Sequence, residues 1–178
     1  QPVIDIAIPA LKQLSLGQYK LFKENLIALI EMDSRVDLLE WSLQKIVFHH
    51  LDGQFFKLAP MQVRYSQPGQ LKKEIELVLS MMAHAGAQNQ STTEKAFRVA
   101  ANLLGSGGLA LLARDRIRIA DLDLALGKLE KLKPSAKSRL LKACVASIGH
   151  DQRVTAAEVE LLRAFAGVLD CPLPPGFV

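Results

Sequence analysis

The residues of this 178-residue chain whose types and spacing could do chemistry are four carboxylates that recur as a set. Asp33 and Glu40 stand in Ala28-Leu-Ile30-Glu-Met-Asp33-Ser-Arg35-Val36-Asp37-Leu-Leu-Glu40-Trp-Ser-Leu43. Asp151 and Glu158 stand in Ala146-Ser-Ile148-Gly-His-Asp151-Gln-Arg153-Val154-Thr155-Ala-Ala-Glu158-Val-Glu-Leu161. The stretches share Ala, Ile, Asp, Arg, Val, Glu and Leu at one spacing, which points to two related helix-turn-helix units. If the units pack so that their acids converge, Asp33, Glu40, Asp151 and Glu158 could hold a divalent cation. The more economical reading is structural. Each Glu falls at the third helical position after a capping residue, where its carboxylate reaches back to the cap N–H. Each Asp can accept from backbone donors of the turn and pair with Arg35 or Arg153.

Other chemistries fail on spacing. A calcium loop needs a second acid where Arg stands here, a central Gly and a later Glu. His49 and His50 are adjacent on a helix, about 100° apart, and do not ligate one metal together without strain. His84 and His150 have no partner four residues away, so the chain lacks the His-Glu-x-x-His centre of a zinc peptidase. Gly105-Ser-Gly-Gly108 lacks the Lys-Ser/Thr of a phosphate loop and reads as a helix stop. No Gly-x-Ser-x-Gly elbow is present. The expectation is no catalytic residue, no cofactor and no metal within this chain.

Helices must position whatever the chain does. Ser15-Leu-Gly-Gln18 is a capping-box start, followed by Tyr19, Phe22, Leu26, Leu29 and Ile30 at helical spacing. Asp37 is expected to cap a second helix, with Leu39, Leu43, Ile46, Val47 and Leu51 inward and Gly53 closing it. Gln54 to Pro68 loses periodicity and reads as irregular. Gln70 to Ala85, with Leu71, Ile75, Val78 and Met82 as its stripe, reads as the central, most enclosed helix. Ser91-Thr-Thr-Glu94 predicts another capping box, on a helix carrying Ala96, Ala100, Leu103 and Leu104. Asp121 caps a helix to about Leu132, which Pro134 breaks; Ser135 then starts one with Leu140, Leu141, Cys144, Val145 and Ile148 inward. Thr155-Ala-Ala-Glu158 opens the last, with Leu162, Phe165, Ala166 and Leu169, before a Pro-rich tail. The fold expected is all-α: one domain over residues 1–178, of about seven helices, with Val36 and Val154 as buried equivalents in adjacent repeats.

Composition agrees. Apolar residues are 49% of the chain and aromatics only 6%, which suits an aliphatic helical core. No uninterrupted apolar run reaches the roughly 18 residues of a membrane span. The start at Gln1 without Met fits a fragment of a longer protein. The net charge is +4, with signs interspersed. The most basic stretch, Lys128, Lys131, Lys133, Lys137, Arg139 and Lys142, reads as a solvated face of two helices, or as contact with an anionic membrane or another subunit. Without interleaved aromatics it is not a nucleic-acid surface. Cys144 falls on an apolar face and is expected to be a buried, reduced thiol.

The doubled Asp-x-Arg-Val-x-x-x-Glu unit resembles the TerB-like (tellurite-resistance-associated) helical fold, with Ser34 and Gln152 where that family has Gly. A resemblance covering nearly the whole chain rests on Pro9-Ala-Leu-Lys-Gln-Leu-Ser15, Val36-Asp-Leu-Leu-Glu40-Trp-Ser-Leu-Gln-Lys45, Val63-Arg-Tyr65, Ala83-His-Ala-Gly86, and Glu160-Leu-Leu-Arg-Ala-Phe165 through Leu169-Asp-Cys-Pro-Leu-Pro174. These look like the C-terminal, non-catalytic region of bacterial membrane-bound zinc metallopeptidases related to HtpX and the CAAX prenyl proteases. The resemblance implies an accessory domain on the cytoplasmic side of the inner membrane. Its partners would be the peptidase domain and membrane of the parent protein, protein substrates, or another copy. Zinc and proteolysis would belong to that parent, upstream of Gln1. The alternative is a TerB-like metal-binding or stress-sensing module.

Overall fold

The computed structural model describes residues 2–31, 38–57, 62–87, 89–105 and 108–173. Among them the chain is all-α, with helices α1 (Pro2–Leu11), α2 (Leu16–Glu31), α3 (Leu38–Phe55), α4 (Lys72–Gly86), α5 (Gln90–Leu104), α6 (Ile119–Leu129), α7 (Pro134–Ile148) and α8 (Ala156–Leu169). Short 3₁₀ turns occupy Pro68–Leu71 and Arg114–Arg116. The helix beyond the expected set is α1. It begins at Pro2, where the missing N–H costs nothing, and carries Pro9 near its other end. No helix among the described residues is long and apolar enough to cross a membrane.

The chain forms two compact units, Gln1–Pro60 and Met61–Val178. In the first, the expected box at the start of α2 is present: Gln18 Oε1 accepts from the Ser15 N–H at 2.9 Å, and Ser15 Oγ from the Gln18 N–H at 3.3 Å. Ile8, Tyr19, Val47 and Leu51 form the buried centre, with Phe22, Leu26, Phe48, Phe55 and Phe56 packed around it. Tyr19 is fully buried yet polar at one end, and its hydroxyl donates to Asp52 Oδ1 at 2.7 Å. Burial and then the Asp52 carboxylate push that phenol well above its ordinary range. Lys23 closes the cluster, 2.8 Å from both Asp52 oxygens and over the Phe48 ring.

In the second unit α4 packs against α5, α6, α7 and α8, as its broad apolar stripe requires. Leu71, Ile75, Val78 and Met82 are all buried. Gly105, in the left-handed region at φ +64°, ends α5 with its amide on the Asn102 carbonyl.

Several local expectations need correction. Gly53 lies inside α3, which continues to Phe55. The box at α5 is Asn89 with Thr92, because Asn89 Oδ1 accepts from the Thr92 N–H at 3.0 Å; Glu94 instead accepts from Gln90 at 3.0 Å. Asp121 sits within the first turn of α6, bonded to the Arg118 side chain, and caps nothing. Pro134 is the first residue of α7 and so starts that helix. Leu29, Leu39 and Leu103 are exposed, each at the margin of an apolar stripe wider than the face that packs.

Candidate functional site

The structure gives two of the repeated acids, Asp151 and Glu158, backbone roles. Asp33, Ser34, Arg35, Val36 and Asp37 lie outside the described residues, so only the second copy can be followed through its turn. There Asp151 Oδ1 accepts from the Arg153 N–H at 3.0 Å. Glu158 is buried and completes the expected box: Oε2 accepts from the Thr155 N–H at 2.7 Å and its hydroxyl at 2.8 Å. The Glu158 N–H in turn donates to Thr155 Oγ1 at 3.3 Å. The carboxyl lies against the backbone of Gly86, where any Cβ would overlap it. This links the ends of α4 and α8. Glu40 is exposed in the first turn of α3.

Val154 is 46% exposed, against the expectation of burial. Gln152, at φ +60°, turns the chain in a conformation that suits glycine. The Asp151 bond then fixes the next residue, so Val154 enters α8 on the solvent side.

Among the described residues the histidines and cysteines are not arranged as a zinc centre. His49 and His50 are exposed and stand edge to face, ring centroids 5.5 Å apart. His84 Nε2 is 2.9 Å from the Leu112 carbonyl oxygen, and His150 Nδ1 is 2.8 Å from that of Ser147. Among the described residues no three His, Cys, Asp or Glu side chains gather as a ligand set. Cys144 is fully buried, as expected, and burial pushes its thiol up to about 12. It is therefore a packed thiol and not a nucleophile at neutral pH.

A polar ladder escaped the sequence reading. Glu76 and Ser80 accept from the N–H groups of Ala110 and Leu112, each at 2.9 Å, and His84 donates from Nε2 to the Leu112 carbonyl. The three side chains, four residues apart on α4, hold Ala110–Leu112 along one face of that helix. The available signal was three polar residues at helical spacing on a helix with many buried apolar side chains.

The end of the irregular stretch and part of the basic stretch meet at a cavity of about 390 Å³ in the second unit. One wall is Ser66–Gly69, from the stretch that lost periodicity. The other is Lys133, Ser135 and Arg139, from the basic stretch. Backbone pairing explains the meeting. The Arg64 and Tyr65 N–H groups donate to the Lys131 carbonyl at 2.9 and 3.2 Å, and the Lys133 N–H donates to the Tyr65 carbonyl at 2.9 Å. Gln70 Oε1 then accepts from the Ser66 and Gln67 N–H groups at 2.9 and 3.1 Å, closing the turn over the cavity. Arg139 is anchored by Nη2 on the Leu104 carbonyl at 2.7 Å.

The basic stretch is thereby sorted, and the expectation of one solvated face is corrected in part. Lys128 pairs with Glu74 at 2.7 Å, and Lys137 is buried. Lys133, Arg139 and Lys142 are exposed, and among the described residues none of them makes an ion pair. A larger groove, about 520 Å³ between α5 and Gly108–Leu111, is lined by both Glu94 and Arg98 and so has no net preference for either sign. Compared with known protein families, curated proteins and solved structures, the chain matches none.

Proposed function

We propose that this chain is a non-catalytic interaction domain of a membrane-bound zinc metallopeptidase. It acts on the cytoplasmic side of the membrane by binding substrate proteins, another copy of itself or the peptidase domain. The observation that carries the reading is the placement of Glu158. This repeated acid is buried in a capping box, with its carboxylate on Thr155 and against Gly86. A carboxylate held by cap donors and closed off by backbone supports a helix start, not a reaction. The motifs from Glu160 to Pro174 support the assignment to the peptidase, and zinc and hydrolysis belong to that parent protein.

The test is the coding sequence in frame ahead of Gln1. A His-Glu-x-x-His helix and membrane-spanning segments are expected there. An upstream protein of another class would overturn the assignment.

A further inference from the structure

We infer that the cavity between Ser66–Gly69 and the start of α7 binds the carboxylate of a peptide. This deepens the interaction reading above by naming what the domain would recognise. Among the described residues Lys133 and Arg139 are the only charged side chains lining the cavity, and neither has an acidic partner there. Arg139 is already oriented by its bond to Leu104. That bond uses one of the five N–H donors of the guanidinium and leaves a fork for an oxyanion. Lys133, exposed, adds a second charge directly before the helix.

The helix reinforces the sign. α7 contains no acidic residue, and no side chain caps its first turn, so the partial positive charge of its first turn is not offset from within the helix.

Size and lining favour a carboxylate that carries an apolar group, as at a peptide's end or side chain, over a bare oxyanion. A volume of about 390 Å³ falls within the roughly 300–1,000 Å³ of organic-ligand sites and exceeds what a bare oxyanion fills. Pro68, Leu104 and Ala136 contribute carbon beside the two cations, giving an apolar group attached to the carboxylate a place to lie. Among the described residues no aromatic ring lines the cavity, so these offer no stacking platform for a nucleotide base. A concave site is also poorly shaped for a flat membrane surface.

The test is ¹⁵N–¹H NMR titration of the 178-residue chain with four probes. They are acetyl-Ala-Ala-Leu-Leu as free acid, the same peptide as C-terminal amide, acetyl-Ala-Glu-Leu-Ala amide, and inorganic phosphate. The free acid or the Glu peptide should shift the amides of Gly69, Gly105 and Ser135, and which of them does so identifies a terminal or a side-chain carboxylate. The uncharged amide should bind at least tenfold more weakly. Lys133→Gln, at an exposed position outside the core, should weaken binding at least fivefold with helix content unchanged; Arg139→Gln should weaken it at least tenfold. Equal binding of acid and amide, shifts confined to phosphate, or affinity indifferent to Lys133→Gln would overturn the proposal. Because the titration reads this cavity alone, its failure would leave the assignment to a metallopeptidase to stand or fall on the upstream coding sequence.

Discussion

Replacing Gly86 with Ala sets two local rules against each other. Helix propensity alone favours the change, since Ala in place of Gly within a helix gains roughly 0.5–1 kcal/mol, and less at the final residue of α4. The structure gives the opposite sign. A Cβ at Gly86 would overlap the carboxyl group of Glu158, which must leave its cap on Thr155. The atoms in the way are the end of a flexible side chain, so the cost is mainly the lost cap, about 0.5–2 kcal/mol. The net expectation for Gly86→Ala is a loss of about 1 kcal/mol. Glu158→Ala alone should cost about 0.5–2 kcal/mol for the same cap. With Glu158 already truncated the obstruction is gone, and adding Gly86→Ala should be neutral or gain up to about 0.5 kcal/mol. A double-mutant cycle in urea therefore changes sign between backgrounds, with a coupling of about 1–2 kcal/mol. Far-UV circular dichroism is the appropriate signal, because the single tryptophan, Trp41, lies in the other unit. If Gly86→Ala stabilises the otherwise unaltered chain, or acts equally in both backgrounds, the account of this contact is wrong.

Other outcomes follow from the same contacts. The loss in Glu158→Ala should not change with added Ca²⁺ or Zn²⁺; stoichiometric binding that disappears in this variant would restore a metal role. Burial holds the Cys144 thiol protonated up to about 12, so a thiol reagent at pH 8 should leave it unmodified until the chain unfolds, and rapid native labelling would contradict the packing. The same raised value makes its contribution to stability complete below the ordinary thiol range and lost as pH rises through the folded value. At Glu74 burial pulls the carboxyl up, but the Lys128 hydrogen bond, its own backbone bond and the lysine charges outweigh this and leave it below the usual range. Its contribution is therefore present above the ordinary carboxylate pKa and lost as pH falls through the depressed folded value. Glu74→Gln should flatten that acid limb; an unchanged limb would dismiss the pair.

Short-range signals carried most of the architecture. The stripes of α4 and α8 and the boxes at Ser15 and Thr155 depend on neighbours three or four residues away, which periodicity reports directly. Capping errors arose where two polar residues compete for one helix start. Asn89 precedes Ser91, and its side chain reaches the free amides first. The stripe margins failed at Leu29, Leu39 and Leu103, because a pattern gives the width of an apolar face and not how much of it a neighbour covers. The cavity was only half legible. Its two walls were flagged separately, as an irregular stretch and a basic one, but the Tyr65–Leu132 bridge that joins them links backbone groups far apart in sequence. The ladder of Glu76, Ser80 and His84 was missed for the same reason, since its partners are main-chain atoms of a distant segment.

On the function proposed above, this chain should bind protein and not cleave it. Fluorescence anisotropy of labelled casein, followed over hours with the purified chain and zinc, separates the two because they move the signal in opposite directions. Binding slows the tumbling of casein, whereas cleavage releases smaller, faster fragments. The expected trace rises on mixing and then holds level, with or without zinc. A zinc-dependent fall that survives repurification of the chain would contradict the account.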